Sequence, residues 1–252
     1  MRNKVLLAVL VGLFCGIGTV LAASEGILSD AGFTVSGDMS VYNQYVWRGF
    51  VLDRDAVLQP SFYVSTPQSK FGVLKTGVWS SQDLENTDNL KSQENDFIVD
   101  YTYAWDAVSV SLGHTYYDFV DTDTFSREAY VGVTFPKLLF SPSVFYYRDY
   151  GNPEDGGGEG SYTLISGAYS IPIANSGFKI DLGANVGLNH ELFLNGDGGN
   201  VGLKAGIFVP LTKQLSVSPN VNYSIPFGDL ANENDANQKS RFFGGATFVY
   251  SF

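Results

Sequence analysis

Two histidines, His114 and His190, and a scatter of carboxylates are the groups in this 252-residue chain best suited to chemistry. A histidine works as a base only if it reaches a nucleophile and an orienting group. Tyr116 follows His114 at the second position, Asn189 precedes His190, and no Gly-x-Ser-x-Gly turn lies nearby. No catalytic residue and no cofactor are therefore expected. Hard oxygen ligands for a divalent cation are offered by Asp121-Thr122-Asp123 and by Asn232-Glu233-Asn234-Asp235. Neither run has the full spacing of a calcium loop. They read as solvated loop faces, and no metal site is assigned.

A further set of residues follows a rule of spacing. Asp38, Gln44, Arg48, Lys75, Trp79, Asp100, Glu128, Lys179, Asp181, Lys204 and Arg241 occupy the polar phase of segments that alternate apolar and polar residues. In residues 178–189, Phe178, Ile180, Leu182, Ala184, Val186 and Leu188 alternate with Lys179, Asp181, Gly183, Asn185, Gly187 and Asn189. Residues 97–105, 201–209 and 215–225 repeat the pattern. Period two is the signature of a strand, whose successive side chains point to opposite faces.

Two folds accommodate such strands. A soluble sandwich packs its apolar faces together and wets the polar ones. A membrane barrel turns its apolar face to lipid and its polar face to a lumen. Segments of about 10–13 residues suit the barrel, since about 9–11 cross a bilayer and soluble strands cluster near 5–6. Tyr103 with Trp105, Tyr116 with Tyr117, and Tyr146 with Tyr147 place aromatics at segment ends, as interfacial girdles require. Charged residues are 16% of the chain, where a soluble domain carries about 25%. A net charge of −11 disfavours nucleic acid as a partner.

Residues 1–22 read as a cleaved signal peptide: Arg2 and Lys4, an apolar run, then Val20-Leu21-Ala22. Its removal leaves 13 basic against 26 acidic residues and no cysteine. The barrel domain is expected over residues 23–252. The expected fold is all-β, a transmembrane antiparallel up-and-down barrel. Twelve strands are read at roughly 33–48, 57–65, 71–81, 96–105, 108–117, 127–136, 139–148, 161–171, 178–189, 200–209, 215–225 and 241–252. Losing a pair near 139–171 would give ten. In the strand at 161–171 either face could meet lipid. Longer polar connections at 49–56, 82–95, 118–126, 149–160, 190–199 and 226–240 alternate with short ones, which puts both termini on the periplasmic side of an outer membrane. Phe248, Tyr250 and Phe252 share the lipid face at the C-terminus and read as an assembly signal for the barrel-assembly machinery.

The leading functional reading is a passive outer-membrane channel for small solutes, its selectivity set by the inward residues named above. Filled structural or adhesive barrels acting through acidic loops are the alternative, since eight strands are usually filled and 16–18 conduct. A lipid-modifying barrel enzyme using His114 on the lipid face is the third. The N-terminal half resembles the TorF family of porins. The resemblance rests on Ser36-Gly37-Asp38, Tyr45-Val46-Trp47-Arg48-Gly49-Phe50, Ala56 to Tyr63, Gly77-Val78-Trp79-Ser80-Ser81, Asp100-Tyr101-Thr102-Tyr103, Leu112 to Tyr117 and Glu128 to Gly132. It covers roughly residues 33–136 and implies a porin with no catalytic residues and no defined solute. Gln44 departs from it, standing where the family tends to have Asp. That loss puts a local Asp–Arg pair in doubt and leaves Arg48 to a solute or to another acid.

Overall fold

The computed structural model describes residues 31–251, except 86, 88, 89, 91 and 92. The signal segment 1–22 and Phe252 lie outside the described residues. The strands are β1 (Thr34–Tyr42), β2 (Tyr45–Trp47), β3 (Phe50–Asp53), β4 (Val57–Ser65), β5 (Val73–Asp83), β6 (Glu94–Ala104) and β7 (Ser109–Phe119). They continue as β8 (Thr124–Thr134), β9 (Ser143–Asp149), β10 (Ser161–Pro172), β11 (Lys179–His190), β12 (Asp197–Pro210), β13 (Leu215–Gly228) and β14 (Arg241–Ser251). Twelve of them, β1 and β4 to β14, form one closed antiparallel barrel, sealed where β1 pairs with β14. β2 and β3 pair only with each other.

The alternation in sequence becomes an inside and an outside. Leu74, Val78, Phe97, Val99, Leu112, Val131, Ile165, Leu182, Leu203 and Val221 are exposed on the outer face. The opposite phase of each strand therefore points into the lumen. A closed barrel leaves no strand edge, and its apolar exterior is the surface a bilayer solvates. β10 resolves the open choice of face: Ile165, Tyr169 and Ile171 lie outside, and Tyr162 and Leu164 line the cavity within.

Two segments depart from the expected boundaries. The first strand stops at Tyr42 and does not run to Arg48. The chain turns at Asn43 and Gln44, and residues 45–53 form a hairpin closed by Arg48 and Gly49. Both have positive φ, +49° and +88°. A two-residue hairpin turn with two positive φ values is type I′, for which glycine is strongly favoured. The alternation of Tyr45 and Trp47 in sequence continues across this break.

The segment 139–142 is a turn and not the start of a strand; β9 begins at Ser143. Pro136 and Pro142 bracket it and cannot donate to a ladder. Phe140 and Ser141 have positive φ, and the Phe135 N–H donates to the Pro142 carbonyl (2.9 Å). The alternation of long and short connections is correspondingly weaker. The β7–β8 ladder runs to Phe119↔Thr124, leaving only 120–123 as a turn, while 135–142 at the opposite end is longer.

Candidate functional site

The site is built around the β2–β3 hairpin, which folds across the mouth at the end carrying loops 150–160, 191–196 and 229–240. Its tip places Arg48 against Glu128 of β8. Arg48 Nη1 donates to Glu128 Oε2 (2.6 Å) and Nη2 to Oε1 (2.8 Å). The side chains are 10% and 2% exposed. The guanidinium also lies 4.4, 4.5 and 4.6 Å from the ring centroids of Trp47, Tyr147 and Tyr162. Its planar fork meets both carboxylate oxygens while its faces meet aromatic rings, an arrangement lysine cannot reproduce. Tyr117 donates its hydroxyl to Glu128 Oε1 (3.0 Å). Burial works against the Arg48 charge, but the hydrogen bonds and charge of Glu128 outweigh it and raise its pKa.

Further contacts hold the hairpin stem. The Tyr45 hydroxyl donates to Glu94 Oε2 (2.9 Å), and its ring lies 5.7 Å from that of Trp79. The Val51 N–H donates to Gln238 Oε1 (3.2 Å). Trp47 meets Tyr117 and Phe193 edge-on. Leu192 and Leu230 in the surrounding loops are fully buried. Two cavities flank the hairpin. One of about 310 Å³ lies toward Phe119 and Phe193. The other, about 410 Å³, lies over β10 to β14.

The residues expected to line a lumen are distributed as follows. Asp38 accepts the Ser61 hydroxyl on β4. Gln44 lies in the bend before the hairpin, where its Oε1 accepts from Arg241 Nη1 (3.4 Å). It shares no strand with Arg48, so the expected geometry of two side chains four residues apart on one strand is replaced. Arg48 takes the other acid left open for it, Glu128. Lys75 lies over the Tyr63 ring and opposite Asp100 in register. Asp100 accepts from the Tyr130 hydroxyl (2.7 Å) and from Thr102 (3.0 Å). Lys179 lies over Phe208, and Asp181 accepts from Ser170 (2.5 Å). Lys204 lines the larger cavity.

Glu94, Asp96 and Asp149 also point inward; Glu94 begins β6 and Asp149 ends β9, at positions where the sequence pattern predicts loops. Asp149 is 1% exposed; it accepts from Ser126 (2.6 Å) and from the backbone N–H groups of Gly151, Gly158 and Glu159. The lumen charge is consequently asymmetric. β6 to β9 contribute the carboxylates Glu94, Asp96, Asp100, Glu128 and Asp149. β11 to β14 contribute the cations Lys179, Lys204 and Arg241 against Asp181 alone.

Groups outside the lumen have other partners. His114 points outward and its Nε2 lies 2.6 Å from the Tyr150 hydroxyl; His190 Nδ1 lies 2.5 Å from Asp197. Asp121 accepts from the Gln93 N–H, and Asn232 caps the Asn234 N–H. Asp53, Asp55 and Asp83 bring carboxylate oxygens within 4.8 Å of one another where the hairpin meets β4 and β5.

A closed twelve-strand antiparallel barrel, apolar outside and charged inside, defines the class of porin-like outer-membrane barrels. No family model matches the sequence, and no curated protein does. Solved structures of the same fold include a protein described as "KdgM porin", with a TM-score of 0.52 and 11% identity over 86% of this chain and 99% of that one. A NanC porin has a TM-score of 0.51 and 9% identity over 85% of this chain and 98% of that one. At these identities the likeness is one of fold.

Proposed function

We propose that the protein is a porin-like channel of the bacterial outer membrane, passing small solutes by diffusion through a mouth narrowed by the β2–β3 hairpin. One observation carries this reading. Lys75, Lys179 and Lys204 point into the lumen, and no carboxylate among the described residues lies within ion-pair distance of them. An unpaired ammonium in a dry interior costs several kcal/mol, so these groups require water around them. The porins of like fold and the TorF resemblance of residues 33–136 support the same reading. Residues 1–22 act as the export signal. Phe248, Tyr250 and Phe252 address the chain to the assembly machinery, and the lipid bilayer is its solvent.

A filled, adhesive barrel is the second reading, favoured by the buried Leu192 and Leu230 that pack the mouth. The two part in a swelling assay. Proteoliposomes should swell in isotonic monosaccharide at a rate that rises with protein content. Vesicles carrying the folded barrel that swell no faster than protein-free ones support the filled barrel.

A further inference from the structure

A lysine or arginine on the lipid-facing wall of a barrel is costly at the level of the hydrocarbon and is tolerated near its edge. Among the described residues of the twelve barrel strands, only Arg127 of β8 and Arg148 of β9 carry such a charge on the outward phase. Arg127 shares that phase with the exposed Val131, and Arg148 shares it with the exposed Val144 and Tyr146. The ladder fixes their level. Leu112, Val131 and Tyr146 form one outward row across β7, β8 and β9. One row nearer the loops come His114, Ala129 and Arg148. In the next, Tyr116 pairs with Arg127, whose carbonyl accepts from the Tyr150 N–H (2.9 Å). Arg127 and Arg148 are therefore diagonal neighbours, about 7–8 Å apart, a gap that two long side chains can close on one group. Tyr116 stacks on Phe125 beside them, with ring centroids 5.6 Å apart. Aromatic rings above an apolar row mark the level at which hydrocarbon gives way to headgroups.

The chain supplies these two cations with no anion. Neither forms an ion pair with a described residue. Asp118 follows Tyr116 on the same outward phase of β7 and pairs with neither. Asp197, farther round the wall, is held by His190 (2.5 Å). The Arg127 guanidinium rests between rings, 5.5 Å from the centroid of Phe125 and 5.6 Å from that of Tyr150. Its Nε is buried without a hydrogen-bond partner, so no acceptor of the chain orients the group. The Tyr150 ring is itself anchored, its hydroxyl 2.6 Å from His114 Nε2. Arg148 is exposed. The contrast with Arg48, locked onto Glu128 inside the mouth, is one of purpose: the outward pair is built from the same residue type and left open. Like charges on diagonal strand positions repel unless an anion lies between them. Planar guanidinium forks backed by aromatic rings suit the oxygens of a phosphate.

We propose that Arg127 and Arg148 form a docking site for the phosphate headgroup of a lipid in the leaflet at the loop end of the barrel, the acyl chains lying along the row of Leu112, Val131 and Tyr146. The proposal takes from the outer-membrane reading only that this wall faces lipid, and conduction plays no part in it. Dioleoyl phosphatidic acid and dioleoylglycerol share their chains and differ by the phosphate, so as probes they isolate the charge. Native mass spectrometry of the full, folded barrel released from a neutral detergent with both lipids present should show one retained molecule of phosphatidic acid. Dioleoylglycerol should be retained roughly tenfold less or worse, as expected for loss of a charge-assisted contact. The double variant Arg127→Gln, Arg148→Gln should retain the two lipids equally. Arg148→Gln alone, at an exposed position, should lower retention of phosphatidic acid and serves if the double variant does not fold. Lys70→Gln, which removes a charge from a turn at the other end, should change nothing. Equal retention of the two lipids by the wild-type protein, or unchanged retention in folded Arg148→Gln, overturns the site. Displacement of phosphatidic acid by millimolar inorganic phosphate reveals a free-anion site and overturns the lipid assignment. Conductance without phosphate-dependent lipid retention overturns the site and spares the channel; lipid retention by a protein silent in bilayers overturns the channel and spares the site.

Discussion

Replacing Arg48 by Ala should release the hairpin from the barrel wall. The substitution leaves Glu128 as a carboxylate with 2% exposure and only the Tyr117 hydroxyl and its neighbours to satisfy it. Breaking a buried ion pair from one side costs about 3–5 kcal/mol. Two ring contacts to the wall, with Tyr147 and Tyr162, are lost as well, each worth about 0.5–2 kcal/mol. The stem retains the Tyr45–Glu94 bond, about 1.5–3 kcal/mol, and the Val51–Gln238 bond, about 0.5–1.5 kcal/mol. The tip therefore outweighs the two stem bonds. Its loss shifts the docked-to-undocked ratio by roughly a hundredfold or more, at 1.4 kcal/mol per tenfold. Single-channel recording reads this directly: Arg48→Ala should show larger conductance, or flicker between the wild-type level and a larger one. Arg48→Lys should restore the wild-type level only partly, because a point charge cannot hold both Glu128 oxygens. A folded Arg48→Ala channel with wild-type conductance and noise would falsify the latch.

Two further outcomes follow from separate features. Gly49→Ala forces a Cβ to within 2.7 Å of Leu230 Cδ2 and 2.8 Å of Asn200 Cβ at a φ of +88°, so it should loosen the same tip by roughly 1–3 kcal/mol. A lowered thermal midpoint with increased channel noise checks it; an unaltered midpoint speaks against a docked tip. Deletion of Phe252 should reduce the amount of heat-modifiable barrel recovered from the outer membrane, and full recovery would remove the C-terminal residue from the assembly signal.

The barrel was legible because a bilayer and a wet lumen impose opposite demands on adjacent residues. Phe178 to Asn189 can satisfy both only as a strand with its apolar phase outward. Twelve strands and the inward phase of Lys75, Asp100 and Lys204 followed from that alternation. The hairpin was not legible in the same terms. Tyr45 and Trp47 keep the alternation of the strand they leave, and their aromatic faces serve a lumen contact as well as a lipid one. The Arg48-Gly49 pair carried the available signal, a glycine at a two-residue turn, but its reading requires knowing that the strand should end. Glu94 and Asp149 were missed for a related reason. A polar residue at a strand end looks the same as the first residue of a loop, and only the ladder to the neighbouring strand tells them apart. The larger cavity was harder to read, since its Asn185, Asn200 and Asn222 lie on three successive strands and come together only through the β11–β12 and β12–β13 registers.

The central claim is that the lumen is a water-filled passage with a narrowed mouth. Purified, folded protein added to a planar lipid bilayer tests it most directly. Discrete, reproducible conductance steps in simple salt solutions are the result expected of a hairpin-narrowed channel. A bilayer that stays silent with verified folded protein, across ionic conditions and polarities, would contradict the account and return the molecule to the class of filled barrels.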